Sequence, residues 1–231
     1  MTPPALVTLT GADRHTDPDA LAALAARYPL VEWAVLSSAE RREARYPGDA
    51  WMDAFLAACA GAHVAVHLCD AHVDAFVAGA AAIRARVAAF ERVQLNFSQR
   101  TAPQPPEALA RAIAAYRGRV ILQHNDDNTA LIEALARDGA DFDVLFDASS
   151  GKGLRPESWP APLPRVRCGY AGGLGPANVA DELPRIAAAA GARDFWIDMA
   201  SSLREPGSGA FSLDACERVL AAVQTYSKLR R

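Results

Sequence analysis

Cys168–Val179 reads CGYAGGLGPANV, and Phe195–Glu205 reads FWIDMASSLRE. In each segment a short apolar run ends in small residues. Gly172 and Gly173 let the backbone turn with positive φ and bring bare N–H groups close to a ligand. Pro176 stands where a helix would begin, with Asn178 and Val179 in its first turn. A strand, a Gly-Gly turn and a helix start together form an anion cradle. Ala200, Ser201 and Ser202 end the second run and can complete that cradle.

Working outward, the chain contains eight short β-like runs: Leu6–Thr10, Trp33–Ser37, Val64–Cys69, Arg92–Asn96, Val120–His124, Phe142–Asp147, Val166–Ala171 and Phe195–Met199. Their Val, Leu and Ile content suits strands buried on both faces. Segments with helical spacing alternate with them: Asp19–Arg27, Gly48–Ala60, His72–Phe90, Pro106–Tyr116, Asn128–Asp138, Ala177–Ala190 and Leu213–Leu229. Gly151–Pro164 carries four prolines and is expected to be irregular. Strict βα alternation predicts a parallel sheet with right-handed crossovers. Eight such units predict an α/β fold, a single (β/α)8 TIM barrel over residues 1–231. Its phosphate site would lie at the loops after strands 7 and 8.

The chain has 231 residues, 51% of them hydrophobic, and a formal net charge of −3. That is enough chain for one sizeable core. Interspersed charges give no electrostatic case for nucleic acid or an anionic membrane. Charges interrupt every apolar run, and the N-terminus lacks a basic, then apolar, leader. Cys59, Cys69, Cys168 and Cys216 are scattered without a C-x-x-C pair. Free buried thiols and a cytoplasmic setting are therefore expected, with no resident metal or cofactor. Monomer and homodimer both remain open.

In such a barrel, functional groups project from the C-terminal strand ends. Those positions are Thr10, Asp13 and His15; Ser37, Ser38 and Arg45; His67 and Asp70; Asn96; His124, Asn125 and Asp126; Asp147 and Lys152; Gly172 and Gly173; and Asp198, Ser201 and Ser202. Arg45 can hold a carboxylate by bidentate hydrogen bonding, or belong to the solvated charge face Glu40–Arg45. Lys152, between two glycines, can approach a phosphate or sit as a surface lysine. The run His124-Asn125-Asp126-Asp127-Asn128 can cap the next helix or present polar groups to substrate. Asp198, aimed at a phosphate, would repel it, so a structural role beside the cradle is expected.

Several of these segments resemble phosphoribosylanthranilate isomerases. Ala171–Val179 resembles that family's S-G-G-L-x-P-E-N-V loop, and Ile197–Ser202 followed by Glu205-Pro206-Gly207 resembles its V-D-V-S-S-G-V-E segment. Val144–Asp147 with Ser150–Gly153 resembles its L-L-D and S-G-K-T, and Val93-Gln94-Leu95 its V-Q-L. Arg45-Tyr46 falls near its R-Y. The resemblance implies an aldose–ketose (Amadori-type) isomerisation of a phosphorylated sugar-type substrate in tryptophan biosynthesis. It implies Asp147 as general acid and Gly172, Gly173, Asp198, Ser201 and Ser202 around the phosphate. From their places at the strand ends, Arg45, Asn96, His124 and Lys152 are expected to bind the substrate.

Two departures stand out. Thr10 occupies the place of the family's strand-one cysteine, its general base, and Asn96 replaces a histidine. An unactivated hydroxyl is a very poor base at neutral pH. Asp13, His15, His67, Asp70, His124 and Asp126 are the alternatives the sequence offers. A different reaction on a phosphorylated metabolite (a lyase or aldolase, with or without a metal) and a non-catalytic phosphometabolite-binding protein are the competing readings.

Overall fold

The computed structural model describes residues 2–147 and 153–229. Eight parallel strands close into a barrel in sequence order. They are β1 (Leu6–Thr10), β2 (Val31–Ser38), β3 (His63–Cys69), β4 (Arg92–Asn96), β5 (Arg119–His124), β6 (Asp143–Phe146), β7 (Arg167–Tyr170) and β8 (Phe195–Met199). Pairing of Val7 with Ile197 and Thr8 with Asp198 joins the last strand to the first. The expected (β/α)8 barrel is therefore present, with strand bounds shifted by a few residues at most.

The helices are α1 (Pro18–Arg27), α2 (Asp49–Ala58), α3 (Ala71–Val77), α4 (Ala81–Val87), α5 (Pro106–Ala115), α6 (Thr129–Arg137), α7 (Val179–Ala190) and α8 (Leu213–Lys228). Local chemistry accounts for several ends. Asp17 accepts from the Asp19 N–H ahead of Pro18, and Ser212 accepts from the Ala215 N–H. The single helix expected over His72–Phe90 is two helices. Gly79, at φ 73°, breaks it, because a left-handed residue ends one helix and re-aims the next. Each half then buries its own apolar pair, Val73 with Phe76 and Ile83 with Val87. The described part of the proline-rich crossover, residues 153–166, holds no helix. Pro176 lies in the turn before α7 rather than in its first turn.

Two cores result. The outer one fills the space between strands and helices with residues such as Leu9, Trp33, Leu95 and Ile186. The inner one, inside the barrel, is partly polar. Thr8 Oγ1 donates to Glu32 Oε1 at 2.7 Å, and Arg92 Nη1 lies 3.2 Å from the same oxygen. The Arg92 guanidinium also covers the Trp196 ring at 4.2 Å. Gly169 makes this stack possible, since a Cβ there would run into the indole. The Ile121–Leu145–Trp196 cluster and this ion pair plug the barrel beneath its mouth. Cys59, Cys69, Cys168 and Cys216 are all free and buried.

Candidate active site at the barrel mouth

Above the plug, inward side chains from successive strands border one cavity of about 110 Å³. β1 contributes Thr10, β3 His67, β4 Gln94 and Asn96, β5 Gln123 and β8 Asp198. Asp147 enters from just beyond β6, and Ala171, Gly172 and Gly173 from beyond β7. Ser201 closes the ring from a single 3-10 turn, Ser201–Leu203. The alternation of inward and outward residues along each strand selects this set.

The floor is a small hydrogen-bonded group. Thr10 Oγ1 donates to Asp198 Oδ1 at 2.9 Å. His67 Nε2 stands 3.7 Å from Asp198 Oδ2, beyond hydrogen-bond length. Burial of Asp198 pushes its carboxyl up to about 7, and the nearby charges of Glu32 and Asp147 add to this while Thr10 and Arg92 oppose it. Burial, reinforced by Arg92, pushes His67 down to about 3, so its imidazole is neutral. Gln123 Nε2 donates to Asp147 Oδ2 at 2.7 Å, and Gln94 Nε2 donates to Asn96 Oδ1 at 2.8 Å. His67 Nε2 and Gln94 Oε1 are buried without a hydrogen-bond partner among the described residues. Such buried polar atoms at the edge of a cavity can be satisfied by a water or a polar ligand within it.

The Gly172-Gly173 turn lies on the rim, with φ of 121° and 59°. The segment Gly153–Arg155 lies against it: a Cβ on Gly173 would come within 2.9 Å of Arg155 N and Gly153 O. Glycine is therefore required at this position by both conformation and space. Asn178 braces the loop, accepting from the Gly175 N–H at 2.9 Å and donating to Gly173 O at 2.8 Å. Ser202 Oγ donates to Leu174 O, tying the β7 and β8 loops together. Arg155 and Trp159 both reach Glu182 on α7, which anchors the irregular crossover over the turn.

The expected site residues separate into those the fold brings together and those it does not. Asp147, Thr10, Asn96, Gly172, Gly173, Asp198, Ser201 and Arg45 all border the cavity. Arg45 is at its outer edge, its guanidinium over Tyr46 at 5.5 Å, and it also lines an adjoining cavity of about 360 Å³ beside Arg204. Asp198 lines the same cavity as Gly172 and Gly173, and the β8 register places it beside Thr8 and under Thr10. Ser202 braces the two loops rather than lining the cavity.

Asp13 is outside the cavity. Arg204 Nη1 at 2.8 Å, the Phe211 N–H at 3.0 Å, the His15 N–H at 3.0 Å and Thr16 Oγ1 at 3.2 Å all donate to its carboxylate. Burial opposes ionisation of Asp13, but these donors and the Arg204 charge together hold it below the usual carboxylate range. A carboxylate so occupied pins the first loop to the last. His124 faces away from the cavity, edge-on to Phe146 at 5.0 Å, since Gln123 takes the inward position on β5. Asn125 and Asn128 that follow are spent on turn hydrogen bonds. Asp70 is held by Arg41 and Ser38. Lys152 lies outside the described residues. Among the described residues no group of three or more His, Cys, Asp and Glu side chains is arranged to hold a metal ion, and no helix is long and apolar enough to cross a membrane.

Sequence reasoning missed Gln123 and Arg204 and could not orient His67. A signal for His67, Gln94 and Gln123 was present: each interrupts an apolar strand at a position in phase with the inward face.

No family model and no curated protein matches this chain by sequence. Solved structures do match. Monomers of phosphoribosylanthranilate isomerase from Thermotoga maritima align with a TM-score of 0.62 at 18% identity, over 95% of this chain and 98% of that one. N-(5'-phosphoribosyl)anthranilate isomerase from Pyrococcus furiosus aligns at 0.60 and 13%, over 95% and 98%. A truncated 3-deoxy-D-arabino-heptulosonate 7-phosphate synthase from Thermotoga maritima aligns at 0.60 and 15%, over 98% and 86%. The fold is that of these barrel enzymes.

Proposed function

We propose that this chain binds a phosphorylated sugar-type substrate at the barrel mouth and isomerises it from aldose to ketose, as a divergent relative of the phosphoribosylanthranilate isomerases. One observation carries the reading: Gly172, Gly173 and Ser201 border the same cavity as Asp147. A phosphate seated on that turn puts the sugar carbons between the strand ends. Asp147, oriented by Gln123, is the acid that protonates the ring oxygen and opens the furanose. Arg45 at the outer edge receives a carboxylate on the substrate's amine portion.

Turnover of N-(5-phosphoribosyl)anthranilate by the purified protein tests this reading. The expected outcome is slow conversion that Asp147→Asn abolishes. No conversion, with saturable binding of ribose 5-phosphate intact, favours a second reading, a non-catalytic binder of phosphometabolites. Thr10 in place of the family's cysteine is the feature that supports it.

A further inference from the structure

We propose that Asp198 is the base of this site and that Thr10 positions it, so that the strand-one hydroxyl aims a carboxylate instead of acting itself. The inference rests on the isomerase reading above. It begins from topology. β7 lies between β6 and β8 in the sheet, so Asp147 and Asp198 flank the Gly172-Gly173 turn from either side. A sugar tethered by its phosphate at that turn lies between two carboxyl groups.

The geometry around Asp198 suits proton abstraction. Thr10 fixes Oδ1 at 2.9 Å. Oδ2 faces His67 Nε2 at 3.7 Å, too far to be quenched by a hydrogen bond, and a neutral imidazole brings no opposing charge. The charged groups facing Asp198 across the barrel are Glu32 from β2, Arg92 from β4 and Asp147 beyond β6. Their sum, with burial, leaves Asp198 near neutrality, where a general base works best. The other candidates are spent: Asp13 on four donors, Asp70 on Arg41, and His124 on the far side of β5. His15 and Asp126 are exposed to solvent.

The proton balance closes within the pair. Asp147 gives a proton to the ring oxygen as the C1–O bond breaks and the nitrogen lone pair forms C1=N. Ionised Asp198 takes the proton on C2; the C–H electron pair becomes C1=C2, and the C=N pair returns to nitrogen. Protonated Asp198 then delivers its proton to C1, the C2 hydroxyl returns one to Asp147, and the ketose results. No net proton is gained or lost.

The test is the pH dependence of kcat/KM on N-(5-phosphoribosyl)anthranilate for the wild type, Asp198→Asn and Thr10→Val, with calorimetric affinity for ribose 5-phosphate measured alongside. In the expected wild-type profile, the limb set by Asp198 ionisation rises about tenfold per pH unit and ends near pH 7. Asp198→Asn lowers kcat by roughly 10²–10⁴-fold and leaves ribose 5-phosphate affinity within about threefold. Thr10→Val moves the rising limb to higher pH, because the ionised carboxylate loses a donor. Asp198→Asn with kcat within about threefold of wild type, or a rising limb that levels off near pH 4, overturns the proposal. Ribose 5-phosphate binding without any wild-type turnover overturns the base role and leaves the binding site standing. Failure to bind ribose 5-phosphate removes the functional reading beneath it.

Discussion

Asp198→Asn should stabilise this protein at alkaline pH and do little at acid pH. Asn at 198 keeps an acceptor for the Thr10 hydroxyl and removes the titration. In the unfolded chain the Asp198 carboxyl titrates at its ordinary value, 3.8; in the fold, burial moves it to about 7. A raised folded-state value means that the stabilising contribution is fully present below pH 3.8 and is lost as pH rises through about 7. At roughly 1.4 kcal/mol per pH unit, the interval is worth about 4 kcal/mol. His67 runs the other way: its depressed value stabilises the fold above pH 6.5, and that contribution is lost as pH falls towards 3. The two slopes offset each other in the wild type, so its stability alone conceals both. Urea denaturation of the two proteins between pH 4.5 and 8 separates them. The variant's advantage should grow by about 1.4 kcal/mol per pH unit and level off near pH 8. A difference that stays constant across that range would refute the reasoning, because Asp198 would then titrate as an ordinary carboxylate.

Arg92→Met leaves Glu32 ionised inside the barrel without its cation, at a cost of roughly 3–5 kcal/mol in urea denaturation at pH 8. The deficit should shrink as pH falls, since burial raises Glu32 and favours its protonated form. Asp13→Ala removes the acceptor of Arg204 and the Phe211 N–H and should cost about 1–3 kcal/mol. Ribose 5-phosphate affinity, measured by calorimetry, should stay within about threefold, because Asp13 lies outside the cavity.

The barrel was legible in the sequence because its signal is redundant. Apolar runs such as Val64–Cys69 alternate with Ala/Leu/Arg helices, and one misread segment leaves the order intact. His72–Phe90 was misread because its alanine-rich composition dilutes the helical period that would have exposed the break at Gly79. The turn after β7 was legible through Gly172 and Gly173, where backbone conformation leaves a mark on residue type. Side-chain roles were harder. Asp13 follows strand one closely and carries a carboxylate, yet its partners Arg204 and Phe211 come from the far end of the chain. His124 and Gln123 are adjacent, and only strand phase decides which faces inward. The contact of Asp198 with Thr10 was not legible, because the register of β8 against β1 sets its neighbours and one sequence does not specify that register.

Everything proposed about chemistry depends on a phosphate seated at Gly172-Gly173. Calorimetric titration of ribose 5-phosphate and of ribose into the wild type and Gly173→Val measures this most directly. A valine at 173 meets both a φ of 59° and the Gly153–Arg155 backbone, so the turn cannot keep its shape. The account predicts saturable one-site binding of ribose 5-phosphate to the wild type, no binding of ribose, and at least a tenfold loss of affinity in a folded Gly173→Val. Equal affinity in the two proteins, or no binding to either, would contradict it.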